Sequence, residues 1–154
     1  MYLVNTQRPE VLGVKAFKNI GNLPEAVDLV VLATPAATIP GLITECVGAE
    51  TKSAVVISAG FKERGAAGAK LERHIKEQLQ GGAVRLIGPN CLGVMNPVIG
   101  MNATFASNAP KVGNVAFLSQ SGALLTAILD WSDKEEVGED RKTGCYWQCK
   151  RALL

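Results

Sequence analysis

Val84-Arg85-Leu86-Ile87-Gly88-Pro89-Asn90-Cys91-Leu92-Gly93-Val94-Met95-Asn96-Pro97 is the stretch on which the fold turns. Its first four residues are a short apolar run. The ten that follow, GPNCLGVMNP, gather two glycines, two prolines, two asparagines and a cysteine into one loop. Ordering such a segment costs backbone entropy, so its composition suggests a backbone shaped around a ligand.

Working outward, the same arrangement recurs. Leu29-Val30-Val31-Leu32-Ala33, Ala54-Val55-Val56-Ile57 and Val115-Ala116-Phe117-Leu118 are further apolar runs, and Tyr2-Leu3-Val4 starts another. Most are continuous rather than alternating, as expected of strands buried on both faces of a parallel sheet. Between them lie amphipathic stretches. From about 36 to 49, Ile39, Ile43 and Val47 repeat at spacing four, with Pro40 tolerated in a first turn. From about 66 to 80, Leu71, Ile75 and Leu79 repeat in the same way, while Lys70, Glu72, Arg73, Lys76 and Glu77 fill the other face and Gly81-Gly82 ends the helix. Alternating strand and helix predicts βαβ units and a Rossmann-like, doubly wound parallel sheet.

Each apolar run is followed by a small or polar turn. These are Asn5-Thr6, Thr34-Pro35-Ala36-Ala37, Ser58-Ala59-Gly60-Phe61, Pro89-Asn90-Cys91-Leu92 and Ser119-Gln120-Ser121-Gly122. Ligands of open α/β sheets bind beyond the carboxyl ends of the strands, so five such turns predict a small-molecule cleft on one edge. The stretch from Met95 to Asn114, with Pro97, Gly100, Pro110 and Gly113, has little periodicity and reads as a linker.

Bulk properties narrow the ligand. The 154 residues set a prior of about one domain, and a 47% apolar content suffices for a core. A net charge of +2, with no basic helix or stripe, argues against a nucleic-acid partner. No apolar stretch approaches membrane-spanning length and no signal peptide is legible, which predicts a cytoplasmic protein without a membrane partner. Cys46, Cys91, Cys145 and Cys149 are scattered; the CxxxC spacing of the last two, with no histidine nearby, supplies too few ligands for a metal. His74 reads as a solvated residue of a charged helix face. A dinucleotide fold would carry GxGxxG after its first strand, and no such motif occurs, which disfavours a nicotinamide-dependent enzyme.

GPNCLGVMNP, ATPAA (33–37), ISAGF (57–61) and LSQSGAL (118–124) together resemble the nucleoside-diphosphate-forming acyl-CoA synthetases, which include ADP-forming acetyl-CoA synthetase and the succinyl-CoA synthetase α subunit. VLGVKAF (11–17), NATFA (102–106) and AILDW (127–131) fit the same order, so the resemblance covers roughly 2–131. It implies a cofactor, coenzyme A, held over the strand ends. Pro35 and Ala36 would line the nucleotide, with Ser58, Ala59 and Gly60 at the next turn. Asn90, Cys91 and Leu92 would sit near the pantetheine arm, and Arg8 near the CoA phosphates, where a guanidinium fork suits phosphate oxygens. Ser119, Gln120, Ser121 and Gly122 would meet the phosphate of an acyl phosphate or phosphohistidine at a helix N-terminus. For Cys91 a small loop residue is preferred over a nucleophilic thiol. For Ser119 and Ser121 a cap or anion contact is preferred over a serine nucleophile, since Leu118 stands where GxSxG needs glycine.

The resemblance also implies what to expect of the whole. Residues 1–97 would be a partial CoA-binding domain lacking its first βα unit and the glycine-rich turn that cradles the CoA pyrophosphate. Residues 98–113 would be a linker, 114–138 the start of a second, flavodoxin-like ligase domain, and 139–154 an atypical tail out of register with the family. The phosphorylated histidine and the ATP-grasp domain have no counterpart, so ATP and Mg would act only in the complete enzyme. No catalytic residue and no metal ligand is assigned. The expected function is the CoA-binding portion of an ATP-dependent, ADP-forming acyl-CoA synthetase, inactive without the missing ligase and ATP-grasp domains or a partner subunit. The alternatives are a stand-alone CoA-binding or regulatory module, or part of a CoA-ligase-like protein lysine acetyltransferase.

Overall fold

A computed structural model describes residues 1–81, 84–112, 116–134, 146–148 and 152–153. The expected elements appear close to where the sequence placed them. Strands β1 (Leu3–Val4), β2 (Glu10–Val11) and β3 (Val14–Phe17) come first. Then follow β4 (Leu29–Leu32), helix α1 (Ile39–Gly48), β5 (Ser53–Val56), α2 (Ala66–Leu79) and β6 (Arg85–Ile87). Strands β7 (Gly93–Asn96), β8 (Met101–Thr104) and β9 (Phe117–Ser119) lead to α3 (Gly122–Lys134), and β10 (Tyr146–Gln148) and β11 (Ala152–Leu153) close the order.

Strands β4, β5 and β6 run parallel, with Val31 opposite Val55 and Val55 opposite Ile87, and β11 adds antiparallel to β6. The α/β class and the parallel sheet are as read from the sequence. Side chains alternate across a strand, so successive residues of β5 serve two different cores. Ala54 and Val56 join Ile39, Ile43 and Cys46 of α1 and Ile75 of α2 in the larger cluster. Val55 faces the other way, toward Cys91 and Val94. Ala54, Val55 and Val56 of β5 are fully buried. Full burial of a valine contributes about 1.5–3 kcal/mol, which makes this strand the centre of the packing.

Two hairpins lie outside the strand–helix pattern read from the sequence. β2 and β3 pair antiparallel across the two residues Leu12 and Gly13, both in the left-handed region that a tight two-residue turn requires. β3 also pairs parallel with β1, making a three-stranded sheet separate from the central one. The second hairpin corrects the reading of GPNCLGVMNP as one loop: its last part, Gly93–Asn96, is strand β7, paired antiparallel with β8. The stretch expected as a linker accordingly contains β8. Apolar periodicity missed it because β7 and β8 are short and carry glycine and asparagine, which strand propensity disfavours. β10 joins β7 to β9, antiparallel to the first and parallel to the second.

Helix α3 packs Leu125 and Leu129 against Leu92 and Met95 of the GPNCLGVMNP segment. Its Leu124 and Trp131 are half exposed, and Leu118 of β9 is more so. Cys145 and Cys149 lie outside the described residues. No helix among the described residues is long and apolar enough to cross a membrane.

Cys46 has no exposed surface in the core under α1. Burial, with a smaller contribution from the neighbouring Glu45 carboxylate, pushes its thiol up from 9.0 to about 11. The neutral thiol therefore stabilises the fold fully below pH 9, and that contribution is lost as pH rises toward 11. In chemical denaturation, the stability advantage of the wild type over Cys46→Ala is expected to shrink across that interval and to be constant below it.

Candidate ligand-binding edge and family membership

The turns after β4, β5 and β6 are tied into one lip by main-chain and hydroxyl bonds. Ser58 Oγ, after β5, donates to the Thr34 carbonyl after β4 at 2.5 Å. The Asn90 amide, after β6, donates to the Ser58 carbonyl at 3.0 Å. Within the first turn, Thr38 Oγ1 donates to the Pro35 carbonyl at 2.8 Å and lies 2.7 Å from Thr34 Oγ1. Each bond contributes about 1 kcal/mol net, but together they fix the spacing of three turns that are far apart in sequence.

The backbone at Gly88 explains why the third turn lies so low. Its φ is +99°, and a Cβ there would stand 2.3 Å from the Val56 carbonyl oxygen. The chain thus passes directly over the end of β5, as only glycine permits. Cys91 follows it inward. Its thiol is 2% exposed and donates to the same Val56 carbonyl at 3.3 Å. Leu92 is buried too, against the α3 cluster. Cys91 and Leu92, expected beside the cofactor arm, are therefore packed beneath the lip. Asn90, between Pro89 and Cys91, takes a left-handed φ of +55° and is partly exposed. That conformation is one asparagine tolerates better than most residues.

The surface left open is made of small groups. Pro35 and Ala59 are exposed, and Ala36, Ser58 and Gly60 partly so. With no side chain longer than a proline ring or a hydroxymethyl, a flat or extended ligand can approach the main chain here. Arg8 is exposed on the turn after β1, where the Asn5 side-chain oxygen accepts from the amides of Gln7 at 3.0 Å and Arg8 at 2.9 Å. That turn belongs to the three-stranded sheet, so Arg8 is not brought into the hydrogen-bonded lip. Ser121 caps α3: its Oγ accepts from the Leu124 amide at 3.3 Å, and its own amide donates to Ser119 Oγ at 3.0 Å. Leu92 and Leu125 share one buried cluster, which couples the Ser119–Gly122 turn to the GPNCL segment through packing.

Sequence reasoning placed Thr34 in its turn without a role of its own, and overlooked Thr38 and Glu63 as parts of the edge. Thr38 was legible as a hydroxyl just after that turn. Glu63 could have been noticed as an acidic residue three positions after a turn glycine. A cavity of about 420 Å³ lies elsewhere, on the β7–β8 hairpin, lined in part by Met95, Met101, Pro110 and Lys111. It includes none of the residues expected to bind the cofactor.

Residues 1–97 match the CoA binding domain. The chain belongs to that family. The chain is 48% identical over 138 residues to an ADP-forming acetate–CoA ligase I of Archaeoglobus fulgidus, covering 90% of this chain and 20% of that protein. It is 42% identical to the α subunit of ADP-forming acetate–CoA ligase II of Pyrococcus furiosus, covering 90% of this chain and 30% of the subunit. Among solved structures, the dinucleotide-forming acetyl-coenzyme A synthetase 1 of Candidatus Korarchaeum cryptofilum, in complex with phosphate and ADP, superposes with a TM-score of 0.85 at 33% identity. That match covers 96% of this chain and 31% of the synthetase. The CoA-binding domain chain thus spans roughly a fifth to a third of the relatives it matches.

Gly88→Ala is expected to destabilise the CoA-binding domain by about 2–4 kcal/mol, from overpacking against the β5 carbonyl and a strained φ. Gly41→Ala, in the exposed first turn of α1 with no atom in the way, should be neutral or stabilising. Thermal unfolding of both variants checks the contrast.

Proposed function

We propose that this chain is the CoA-binding portion of an ATP-dependent, ADP-forming acyl-CoA synthetase and does not complete the reaction alone. The observation that carries the reading is the interlocked lip of small residues at the ends of β4, β5 and β6, in a chain that belongs to the CoA-binding domain family. Pro35, Ala36, Ser58, Ala59 and Gly60 line the cofactor. Asn90 contributes the accessible part of the third turn, while Cys91 and Leu92 shape that turn from beneath. Arg8 supplies a guanidinium for the CoA phosphates. CoA itself supplies the thiol that receives the acyl group.

The end of the CoA-binding family match at residue 97 supports a division of the chain near there. The 138 residues matched to the Archaeoglobus fulgidus ligase leave so few outside that they take in β9 and α3 wherever the match begins. We assign 1–97 to CoA binding, 98–113 to a connecting segment built around β8, 114–138 to the start of a ligase domain and 139–154 to a separate tail. In that second part the Ser119–Gly122 turn meets a phosphoryl group, with Ser121 also capping α3. The exposed Leu118, Leu124 and Trp131 suit burial against further ligase and ATP-grasp domains or a partner subunit. ATP and Mg belong to that larger assembly, which acts in the cytoplasm.

Calorimetry on the purified chain is expected to show binding of CoA and weaker or no binding of NAD; tighter binding of NAD overturns the assignment. With ATP, Mg, acetate and CoA, the chain alone is expected to release no ADP. Sustained turnover would refute its dependence on further domains.

A further inference from the structure

We propose that Glu63 is a positioning residue for CoA: its carboxylate holds the Ser58–Phe61 turn in the shape that receives the cofactor. The inference rests on the CoA reading above. Glu63 lies in the short 3-10 helix Lys62–Arg64, which folds the chain back on the turn that precedes it. Its Oε1 accepts from the Gly60 amide at 2.6 Å and from the Phe61 amide at 3.2 Å. One carboxylate oxygen thus satisfies two consecutive amides at the carboxyl end of β5, with the added strength of a charged acceptor.

Three further observations tie this contact to the cleft. α2 begins at Ala66 after Gly65, which provides no side-chain cap, so the turn before it is shaped by the Glu63 contacts to Gly60 and Phe61. Phe61 is fully buried and pins one end of the turn to the core. At the other end Ser58 bonds to the Thr34 carbonyl and receives the Asn90 amide. Between those anchors Gly60 has a φ of +113° and sits so close to the first turn that a Cβ on it would be 2.9 Å from Ala36 Cβ. Gly60 and Ala36 are therefore in register across the lip. The Glu63 carboxylate accepts that glycine's amide, and its loss would let residues 59 and 60 swing toward or away from Ala36. Because both amides already have an acceptor, they are held as structure and are not spent on a ligand anion.

The test compares Glu63→Gln, which keeps an acceptor oxygen at the same reach, with Glu63→Asp, which keeps the charge but is one methylene too short, and Glu63→Ala. CoA affinity is read by calorimetry on the full chain. Hydrogen exchange is followed at the Gly60 and Phe61 amides, and melting temperature is recorded for each variant. Glu63→Ala and Glu63→Asp are expected to weaken CoA at least fivefold, with faster exchange at those two amides and little change in melting temperature. Glu63→Gln should bind within about threefold of wild type, with both amides still protected. Unchanged CoA affinity in Glu63→Asp and Glu63→Ala would overturn the proposal, as would a loss in Glu63→Gln equal to theirs. Should Glu63→Ala fail to fold, the contrast between Gln and Asp decides. Wild-type chain that binds no CoA overturns the cofactor reading itself, and with it this role for Glu63.

Discussion

Ala54, Val55 and Val56 have no exposed surface, and β5 has a parallel neighbour on each side. A strand enclosed in this way can neither slip by one residue nor tilt, because either movement would exchange the contents of two different cores. Its carboxyl end is therefore a fixed point. The Val56 carbonyl receives the Cys91 thiol, Gly88 crosses just above it, and the next residues of the strand feed the turn that binds both neighbouring turns. The ligand edge is rigid to the extent that this one strand is.

The chemistry of the edge follows from the same packing. Helices α1 and α2 cover one face of the sheet, and Cys91 and Val94 with the β7–β8 hairpin cover the other. Bulk is thereby confined below the surface, and the residues at the top are glycine, alanine, proline, serine, threonine and asparagine. Such a surface has little side-chain charge of its own and recognises a ligand through shape and main-chain groups. Coenzyme A, long and extended, suits a rim of that kind. Membership of the CoA-binding domain family agrees with this. The matched ligases are much longer than this chain, and Leu124 and Trp131 of α3 are exposed.

The apolar runs at 29–33, 54–57 and 84–87 were legible as strands from their continuity; burial on both faces holds for β5, whereas Val31 of β4 and Arg85 of β6 are exposed. The i, i+4 repeats of Ile39-Ile43-Val47 and Leu71-Ile75-Leu79 were legible as helices because each buries a single stripe. The hairpins were not. β2–β3 joins only Glu10 to Lys15 and Val11 to Val14, and β7–β8 mixes Gly93, Asn96 and Asn102 with apolar residues, so their stability comes from a partner strand rather than from a local apolar pattern. Among the candidate residues, Pro35, Ala36, Ser58, Ala59 and Gly60 could be placed on the sheet edge by their position after a strand. The inward turn of Cys91 and the reach of Glu63 could not, since a residue's place after a strand says nothing about its rotamer or about which amides lack a partner.

Composition, periodicity and motif order by themselves determined that this chain builds a parallel α/β sheet with small and polar turns at the strand ends, because those properties depend on local burial and local turn chemistry. Tertiary structure alone decided which groups of GPNCLGVMNP are presented and which are hidden. There, Gly88 crosses β5, Cys91 bonds beneath it, Asn90 is left at the surface, and Gly93–Asn96 becomes a strand. That outcome depends on the Val56 carbonyl and on β8, both brought to the segment by folding, so no reading of the ten residues in isolation could contain it.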